Sequence, residues 1–325
     1  MLEVRGLSIA FASPTGFTPV TREVSFSIAP GERLGVVGES GCGKSVTGLS
    51  ILGLLPRRHS RVTGEILFDG EDLNRMSPDQ MRAVRGRRIG MIFQEPMTAL
   101  DPVFTIGEQI GEAYRQHFPV SRAQARERVI EALARVGIPL PARRHDEYPH
   151  QLSGGMRQRV MIAMALICEP RLLIADEPTT ALDVTVQAQI TDLLLELSST
   201  QGTALMFITH DLGVVAEVCT RMVTMYAGEV VEDAPTDEAL LRPRHPYTSG
   251  LLRSLPRLAQ RKAVLPSIPG RVPLPTEMPA GCRFRERCPH AAPGCEGEQV
   301  LTGIAPQRSV RCSRAAALEL PGAVA

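Results

Sequence analysis

The stretch "GESGCGKS" at residues 38–45 decides the fold of this chain. It fits the pattern G-x-x-x-x-G-K-[ST] and lies between the apolar run "RLGVVG" and the helix-forming run "SVTGLSILGLL". Glycines let backbone N–H groups curl around phosphate oxygens, and the following helix N-terminus adds the positive end of its dipole. A glycine-rich turn with a surface lysine is the plain alternative, which the strand before and the helix after disfavour. The pattern predicts a phosphate site comprising Gly38, Glu39, Ser40, Gly41, Cys42, Gly43, Lys44 and Ser45.

A second segment supplies the acids that a nucleotide site needs. The apolar stretch "LLIADEP" ends in Asp176 and Glu177. We expect Asp176, at the strand tip, to bind Mg²⁺ directly or through water, and Glu177 to act as general base on the attacking water. In the phosphate loop, Lys44 would reach the β- and γ-phosphates and the Ser45 hydroxyl would bind Mg²⁺. Together the two segments predict a Mg²⁺-dependent ATPase.

Apolar strands and helical runs alternate along most of the chain. The run "SRAQARERVIEALARVGI" predicts a helix with Ser121 as N-cap and Gly137 as its stop. A second helical run spans 185–199. Strand predictions fall at 24–28, 33–38, 64–70, 171–176 and 203–210. Buried-type strands separated by helices indicate a parallel α/β sheet.

Charge and hydropathy restrict the class of protein. The 325 residues include 36 basic and 35 acidic side chains, so a formal net charge of +1 gives no electrostatic reason to expect a nucleic acid. No window approaches the roughly 18 apolar residues that cross a bilayer. The N-terminal "MLEVRGLSIAF" does not resemble a signal peptide. We therefore expect a cytosolic chain, in which stable disulfides are uncommon.

Further motifs lie in a fixed order around these two segments. They are Gln94 in "MIFQEP", "LSGGMRQR" at 152–159, "ALD" at 181–183 and His210 in "FITHD". With the phosphate loop and "LLIADEP", they resemble the ATP-binding cassette (ABC) ATPases over about residues 1–255. The resemblance makes Gln94 the Q-loop glutamine, Asp183 part of the D-loop and His210 the switch histidine.

The resemblance also assigns roles to the motif residues. Glu177 and His210 would be catalytic, and Gln94 would join Ser45 and Asp176 around Mg²⁺. Phe11 would stack on adenine, with Phe17 as the alternative. The signature would bind the γ-phosphate held by the opposite subunit of a head-to-tail dimer, using Leu152, Ser153, Gly154, Gly155 and Met156. Met156 replaces the usual glutamine, which leaves the side-chain contact at that position open.

The implied architecture has two parts. Residues 1–255 would form an α/β P-loop ABC nucleotide-binding domain with a parallel-sheet core, an N-terminal antiparallel β part and a helical subdomain at about 96–170. Residues 256–325 would form a proline-rich, irregular, Cys-rich C-terminal extension, because "LPSIPGRVPLPTEMP" lacks periodicity.

Sequence detail resembles one group of these ATPases. "GRRIGMIFQ", "QEPMTALDP" and "PRHPYTSGLL" are similar to segments of oligopeptide/dipeptide importer subunits. The resemblance implies an ATP-driven motor at the cytoplasmic face of a bacterial inner membrane. Its partners would be a second, related but distinct ABC ATPase, two membrane-spanning permease subunits and, indirectly, an extracytoplasmic substrate-binding protein. Nickel or another small solute is the alternative cargo, and a nucleic-acid-associated ABC ATPase is a distant alternative.

Four of the seven cysteines lie near the C-terminus, namely Cys282, Cys288, Cys295 and Cys312. Four thiolates in a segment with little apolar content indicate folding around a metal. Similar segments in peptide-importer ATPases hold a [4Fe–4S] cluster, so the resemblance implies one here. Zinc is the alternative, followed by free thiols or disulfides. We expect a structural staple rather than a redox sensor, and we expect His290 to be a bystander.

Overall fold

The structure is a computed structural model that describes residues 1–14, 16–95, 99–179, 183–254 and 267–323. The chain divides into two compact units. Unit 1 comprises Met1–Ile28, Arg33–Asn74 and Ile208–Ala325, and unit 2 comprises Ala29–Glu32 and Arg75–Phe207. The predicted boundary between cassette and extension, at residues 255 and 256, lies outside the described residues.

The strands and helices are numbered in chain order. The strands are β1 (Leu2–Ser13), β2 (Gly16–Ile28), β3 (Arg33–Val37), β4 (Ser60–Phe68), β5 (Glu71–Asp72), β6 (Ile89–Ile92), β7 (Leu172–Asp176), β8 (Ala204–Thr209), β9 (Arg221–Tyr226), β10 (Glu229–Pro235), β11 (Thr302–Ala305) and β12 (Arg308–Val310). The α-helices are α1 (Lys44–Ile51), α2 (Pro78–Val84), α3 (Ile106–Arg115), α4 (Arg122–Arg135), α5 (Pro141–Arg144), α6 (Gly154–Leu166), α7 (Val184–Gln201), α8 (Leu212–Val218), α9 (Thr236–Leu241) and α10 (Pro246–Arg253). Single 3₁₀ turns cover Leu73–Arg75, Pro149–Gln151, Pro275–Glu277 and Arg285–Arg287. Among the described residues, no helix is both long and apolar enough to span a membrane.

An antiparallel sheet in the order β2-β1-β4-β5 opens unit 1. The register of β1 against β2 runs from Leu2 opposite Ile28 to Ser13 opposite Gly16. One face is apolar, with Leu2, Val4, Leu7 and Ile9 buried. This sheet is the N-terminal antiparallel part that the sequence predicts, and its strands are longer than the short runs expected.

The second sheet of unit 1 is mixed rather than purely parallel, with the order β11-β12-β10-β9-β3. β3 pairs with β9 in parallel, but β9 and β10 pair antiparallel. The reason is the two-residue turn between them, where Ala227 and Gly228 have φ values of 46° and 84°. Two left-handed residues in succession form the turn that reverses a strand onto its neighbour. The sequence predicts a parallel-sheet core, and on this side of β3 the core sheet is mixed instead.

The C-terminal extension is only partly irregular, which corrects the sequence expectation. β12 pairs with β10, with Val310 opposite Glu232, and β11 pairs with β12. The buried guanidinium of Arg308 lies 3.1 Å from a Glu232 carboxylate oxygen and also bonds Glu238. These strands are too short for a periodic pattern, and every residue of β11 is exposed, so composition gave no sign of them.

Unit 2 contains the parallel pair β6 and β7, with Ile89 opposite Leu172, and β8 follows β7 in the strand order. Helices α3, α4 and α6 pack on one another within the predicted helical region. Ser121 caps α4, because its Oγ accepts the N–H of Gln124, and Gly137 follows the helix with a φ of 72°. The predicted start and stop of this helix are confirmed.

Candidate functional site

The phosphate-loop residues connect β3 to α1 in unit 1. β3 ends at Val37, and α1 begins at Lys44 with Gly43 as its N-cap. The loop glycines Gly38, Gly41 and Gly43 have φ values of 151°, 78° and 99°. A Cβ atom on Gly38 would lie 2.2 Å from the Met225 carbonyl oxygen. Residue 38 must therefore be glycine for both conformational and steric reasons.

The Lys44 side chain lies along its own loop and is 5% exposed. Its Nζ donates to the carbonyl oxygens of Gly38, at 2.8 Å, and Glu39, at 3.1 Å. Ser45 follows at the second position of α1, half-buried. Cys42 is fully buried within the loop, and burial raises the pKa of its thiol. The loop thus carries an ammonium group at a helix N-terminus, an arrangement that suits an anion.

The predicted adenine-stacking residues lie on the β1–β2 hairpin. Phe11 is half-buried in β1, opposite Thr18 of β2 and Ser60 of β4. Phe17 is 36% exposed, and the Arg61 guanidinium lies 3.8 Å from its ring centroid. The Phe17 ring therefore already has a cation–π partner on one face.

His210 is exposed between β8 and α8, also in unit 1. The residue that follows it, Asp211, caps α8 by accepting the N–H groups of Gly213 and Val214. This cap holds the turn in which His210 lies.

Two predicted residues of unit 2 are brought into contact. The Gln94 side-chain amide donates to a Glu177 carboxylate oxygen at 3.2 Å. Asp176 is buried at the end of β7, and Glu177 follows it with a φ of 44°. A left-handed conformation is uncommon for a non-glycine residue and is concentrated at functional positions. At Glu177 this conformation changes the direction of the chain immediately after β7.

The signature residues begin α6 as predicted. Ser153 is the N-cap, and its Oγ accepts the N–H of Met156 at 3.3 Å. Leu152 is buried, whereas Ser153 and Gly154 are exposed. A Cβ on Gly154 would meet no atom within 4 Å, and one on Gly155 would lie 3.1 Å from Val186. The first turn of this helix therefore presents backbone N–H groups that a nearby anion can reach.

Gln158, to which the sequence motifs assign no role, links the signature helix to the acidic segment. Its buried amide donates to the carbonyl oxygen of Pro178 at 2.5 Å. Asp183, which the sequence predicts to belong to the D-loop, caps α7 by accepting the N–H of Val186 at 3.0 Å. Ala181 and Leu182 of the same motif lie outside the described residues. Gln158 stands within the quoted signature stretch, but its partner is distant in sequence, so no local pattern marks it.

The four C-terminal cysteines form the cysteine segment, residues 282–312, of unit 1. None of them is in a disulfide. Cys282 and Cys288 flank the 3₁₀ turn Arg285–Arg287 and pack against an apolar cluster that includes Tyr226 and Phe284. The N–H of Cys282 donates to the Cys295 carbonyl at 2.9 Å.

The charges of the cysteine side chains affect one another's pKa. The pKa of Cys282 is raised to about 11, chiefly by burial and also by the negative charges of Cys288, Cys312 and Cys295. Burial likewise raises the pKa of Cys288 and of Cys312. Backbone N–H groups act in the opposite direction, since those of Phe284, His290 and Arg314 donate to Cys282, Cys288 and Cys312 respectively. Even so, no group of three or more His, Cys, Asp or Glu side chains among the described residues is arranged to hold a metal ion.

Comparison with known proteins identifies the family. A family model described as ABC transporter matches residues 21–180, and one described as oligopeptide/dipeptide transporter, C-terminal region, matches residues 231–295. A Sinorhizobium fredii protein named as a peptide ABC transporter ATP-binding protein is 54% identical over 97% of this chain and 95% of its own length. A Brucella ovis protein named as a peptide import ATP-binding protein is 50% identical over 97% of each chain.

The chain belongs to the ABC transporter ATP-binding proteins. Solved structures agree with this assignment. A dimeric ATP-binding cassette bound to ADP and phosphate is 30% identical, has a TM-score of 0.65 and covers 73% of this chain and 99% of its own. An ABC transporter subunit from Clostridium perfringens is 28% identical, has a TM-score of 0.62 and covers 73% of this chain and 89% of its own. This ABC protein therefore has the P-loop α/β fold with a mixed sheet, and it is an ATPase.

Proposed function

We propose that this ABC ATPase is the ATP-hydrolysing motor subunit of a multi-subunit membrane importer for di- and oligopeptides. The match of residues 231–295 to the C-terminal region of oligopeptide/dipeptide transporters carries the proposal. The relatives named for peptide import support it, because they align with nearly the whole chain.

In this proposal the residues of the phosphate loop bind the nucleotide. The backbone N–H groups of Gly38–Ser45 and the Lys44 ammonium hold the phosphates, while Phe11 or Phe17 stacks on adenine. A bound Mg²⁺ would neutralise charge developing on the phosphates, and Ser45, Asp176 and Gln94 would hold it.

Hydrolysis in this proposal depends on Glu177 and His210. Glu177 accepts a proton from the attacking water, and His210 contacts the γ-phosphate. The 3.2 Å contact from Gln94 to Glu177 supports a joint role, because the amide orients the carboxylate. The signature residues at the start of α6 would serve the ATP of a second, related but distinct ABC ATPase subunit.

We place the chain at the cytoplasmic face of the bacterial inner membrane, with two permease subunits and, indirectly, a substrate-binding protein. The helical region would dock on the permeases. Large apolar side chains exposed in that region support this, including Val103, Phe104 and Leu140, which are 70%, 52% and 64% exposed. The cassette would end near residue 255 and the extension would follow it.

Transport by reconstituted vesicles tests the proposal. We expect vesicles that contain the chain, the second ABC ATPase subunit and the two permeases to accumulate a labelled dipeptide when ATP and the peptide-binding protein are present. Nickel uptake without peptide uptake would favour the alternative cargo. ATPase activity that is stimulated by nucleic acid, with uptake of neither solute, would refute the importer assignment.

We also propose that the cysteine segment binds a [4Fe–4S] cluster, with a zinc ion as the alternative. The N–H donors at Cys282, Cys288 and Cys312 support it, because such donors stabilise metal-bound thiolates. As arranged, the residues do not form a metal-binding group, so binding would require the four sulfurs to close on one centre. Iron, acid-labile sulfide and zinc analysis of protein purified without air tests this. About four irons and four sulfides per chain are expected, and absence of all three would refute it.

A further inference from the structure

The cysteine segment is joined to the phosphate loop by one ion pair. Arg287, which directly precedes Cys288, forms an ion pair with Glu39, which directly follows Gly38. Nη1 of Arg287 lies 2.7 Å from Oε2 of Glu39, and Nη2 lies 3.0 Å from Oε1. Both bonds are charge-assisted and parallel, the geometry in which an arginine recognises a carboxylate most strongly.

Glu39 is held at its backbone as well. Its N–H donates to the hydroxyl of the buried Tyr247 at 2.8 Å, and its carbonyl oxygen accepts from Lys44 Nζ at 3.1 Å. Because Lys44 and Tyr247 hold the main chain while Arg287 holds the side chain, the conformation of the loop at this residue depends on all three.

Arg287 is positioned by its own segment. Its Nε donates to the Pro269 carbonyl at 2.9 Å, and its guanidinium lies 5.7 Å from the Tyr226 ring centroid. The residue is 6% exposed, and two of its guanidinium nitrogens bond Glu39. The guanidinium is therefore held in place between the Pro269 carbonyl, the Tyr226 ring and the Glu39 carboxylate.

We propose that Arg287 is a positioning residue for ATP binding, through which the cysteine segment orients Glu39 and neutralises it. The inference rests on the proposed role of residues 38–45 in phosphate binding. A carboxylate at the start of a phosphate loop repels the phosphates unless a cation compensates it. Removing Arg287 would leave that charge uncompensated and release the loop at Glu39.

A double-mutant cycle tests the proposal on the full-length chain. We expect Arg287→Met to raise the Kd for ATP about tenfold, equivalent to about 1.4 kcal/mol. Glu39→Gln alters the loop itself and should lower the Kd by up to about threefold, because the amide keeps an acceptor and removes the repelling charge. The double variant should bind about as well as Glu39→Gln alone, because arginine acts through the carboxylate. Arg287→Lys should fall between Arg287→Met and the parent.

The matched control is Arg285→Met in the same 3₁₀ turn, which should leave the Kd for ATP unchanged. A Lys44→Ala variant that abolishes ATP binding verifies the role of the loop separately. If that loss occurs but Arg287→Met and Arg287→Lys lower only the melting temperature and leave the Kd and KM for ATP unchanged, Arg287 is merely structural and the proposal is overturned. If Arg287→Met fails to fold, the Kd of Arg287→Lys decides the question in the same way.

Discussion

The phosphate loop and the cysteine segment both lie in unit 1, yet they differ in how much of their geometry is local. The loop spans consecutive residues, and its shape follows from positive φ angles at Gly38, Gly41 and Gly43. The cysteine segment instead draws its thiols from residues 282–312, and different elements hold them. Cys282 and Cys288 flank a 3₁₀ turn, whereas Cys312 follows β12.

The difference shows why one region is more predictable than the other. A loop that binds phosphate with backbone N–H groups requires only that the residues permit the conformation. A set of dispersed thiols becomes a metal site only if tertiary packing brings the sulfurs to one centre. Four cysteines in a segment with little apolar content suggest a metal, but the described residues contain no assembled ligand group.

The largest expected effect concerns turnover, and it arises at Glu177, a residue that belongs to neither the phosphate loop nor the cysteine segment. Glu177→Gln should bind ATP normally and lose hydrolysis by about a thousandfold, since general bases contribute roughly 10²–10⁴-fold. The measurement is steady-state phosphate release beside ATP binding. Glu169→Gln is the matched control, because Glu169 also has a left-handed φ, 51°, in unit 2. Normal turnover of Glu177→Gln would remove Glu177 as the base.

The next effect tests whether the extension is stabilised by tertiary charge pairs. Arg308→Met should lower the free energy of unfolding by about 3 kcal/mol, because the buried Glu232 carboxylate loses its counter-charge while it keeps the N–H bonds of Arg244 and His245. Urea denaturation measures it. Arg271→Met is the control, since its pair with Glu277 is 3.9 Å long and exposed, and it should change stability by less than about 0.5 kcal/mol. Equal effects of the two variants would contradict this account of the extension.

A smaller effect tests the local geometry of the loop. Gly38→Ala should destabilise the chain by about 2–3 kcal/mol and abolish ATP binding, because its Cβ would collide with the Met225 carbonyl. Gly41→Ala has a strained φ but no atom within 4 Å of the added Cβ, so about 1 kcal/mol is expected. Calorimetric ATP titration with urea denaturation separates the two quantities. A larger loss of stability for Gly41→Ala than for Gly38→Ala would show that φ strain, not collision, dominates.

The smallest effect concerns the thiols themselves. In protein freed of metal, burial disfavours the thiolate of Cys282 and raises the pKa of its thiol to about 11 from the usual 9, so alkylation should reach half its maximal rate near pH 11. At pH 8 it should be slower than an ordinary thiol by roughly ten- to a hundredfold. Mass spectrometry of the alkylated peptide follows the reaction, with Cys219, whose pKa burial raises to about 12, as the buried reference. A half-maximum below pH 9 would indicate a cation beside the thiolate, as a bound metal provides.

Several features could be predicted because the residues that produce them are close together in the sequence. Ser121 caps α4 as predicted, since a cap needs only a hydroxyl at the first turn. The signature helix begins after Ser153 for the same reason. The antiparallel hairpin at Ala227–Gly228 was missed because it lacks the Asn-Gly or Asp-Gly pair typical of such turns.

By itself, the sequence determined the order of the motifs, the nucleotide chemistry and the family, because each motif is contiguous and local backbone preferences shape it. Only the tertiary structure decided that the extension adds strands to the sheet, that Gln158 bonds Pro178, and that Arg287 clasps Glu39. Those contacts join residues far apart in the chain. Their strength depends on burial and on exact orientation of charged groups, which no local pattern of residues encodes.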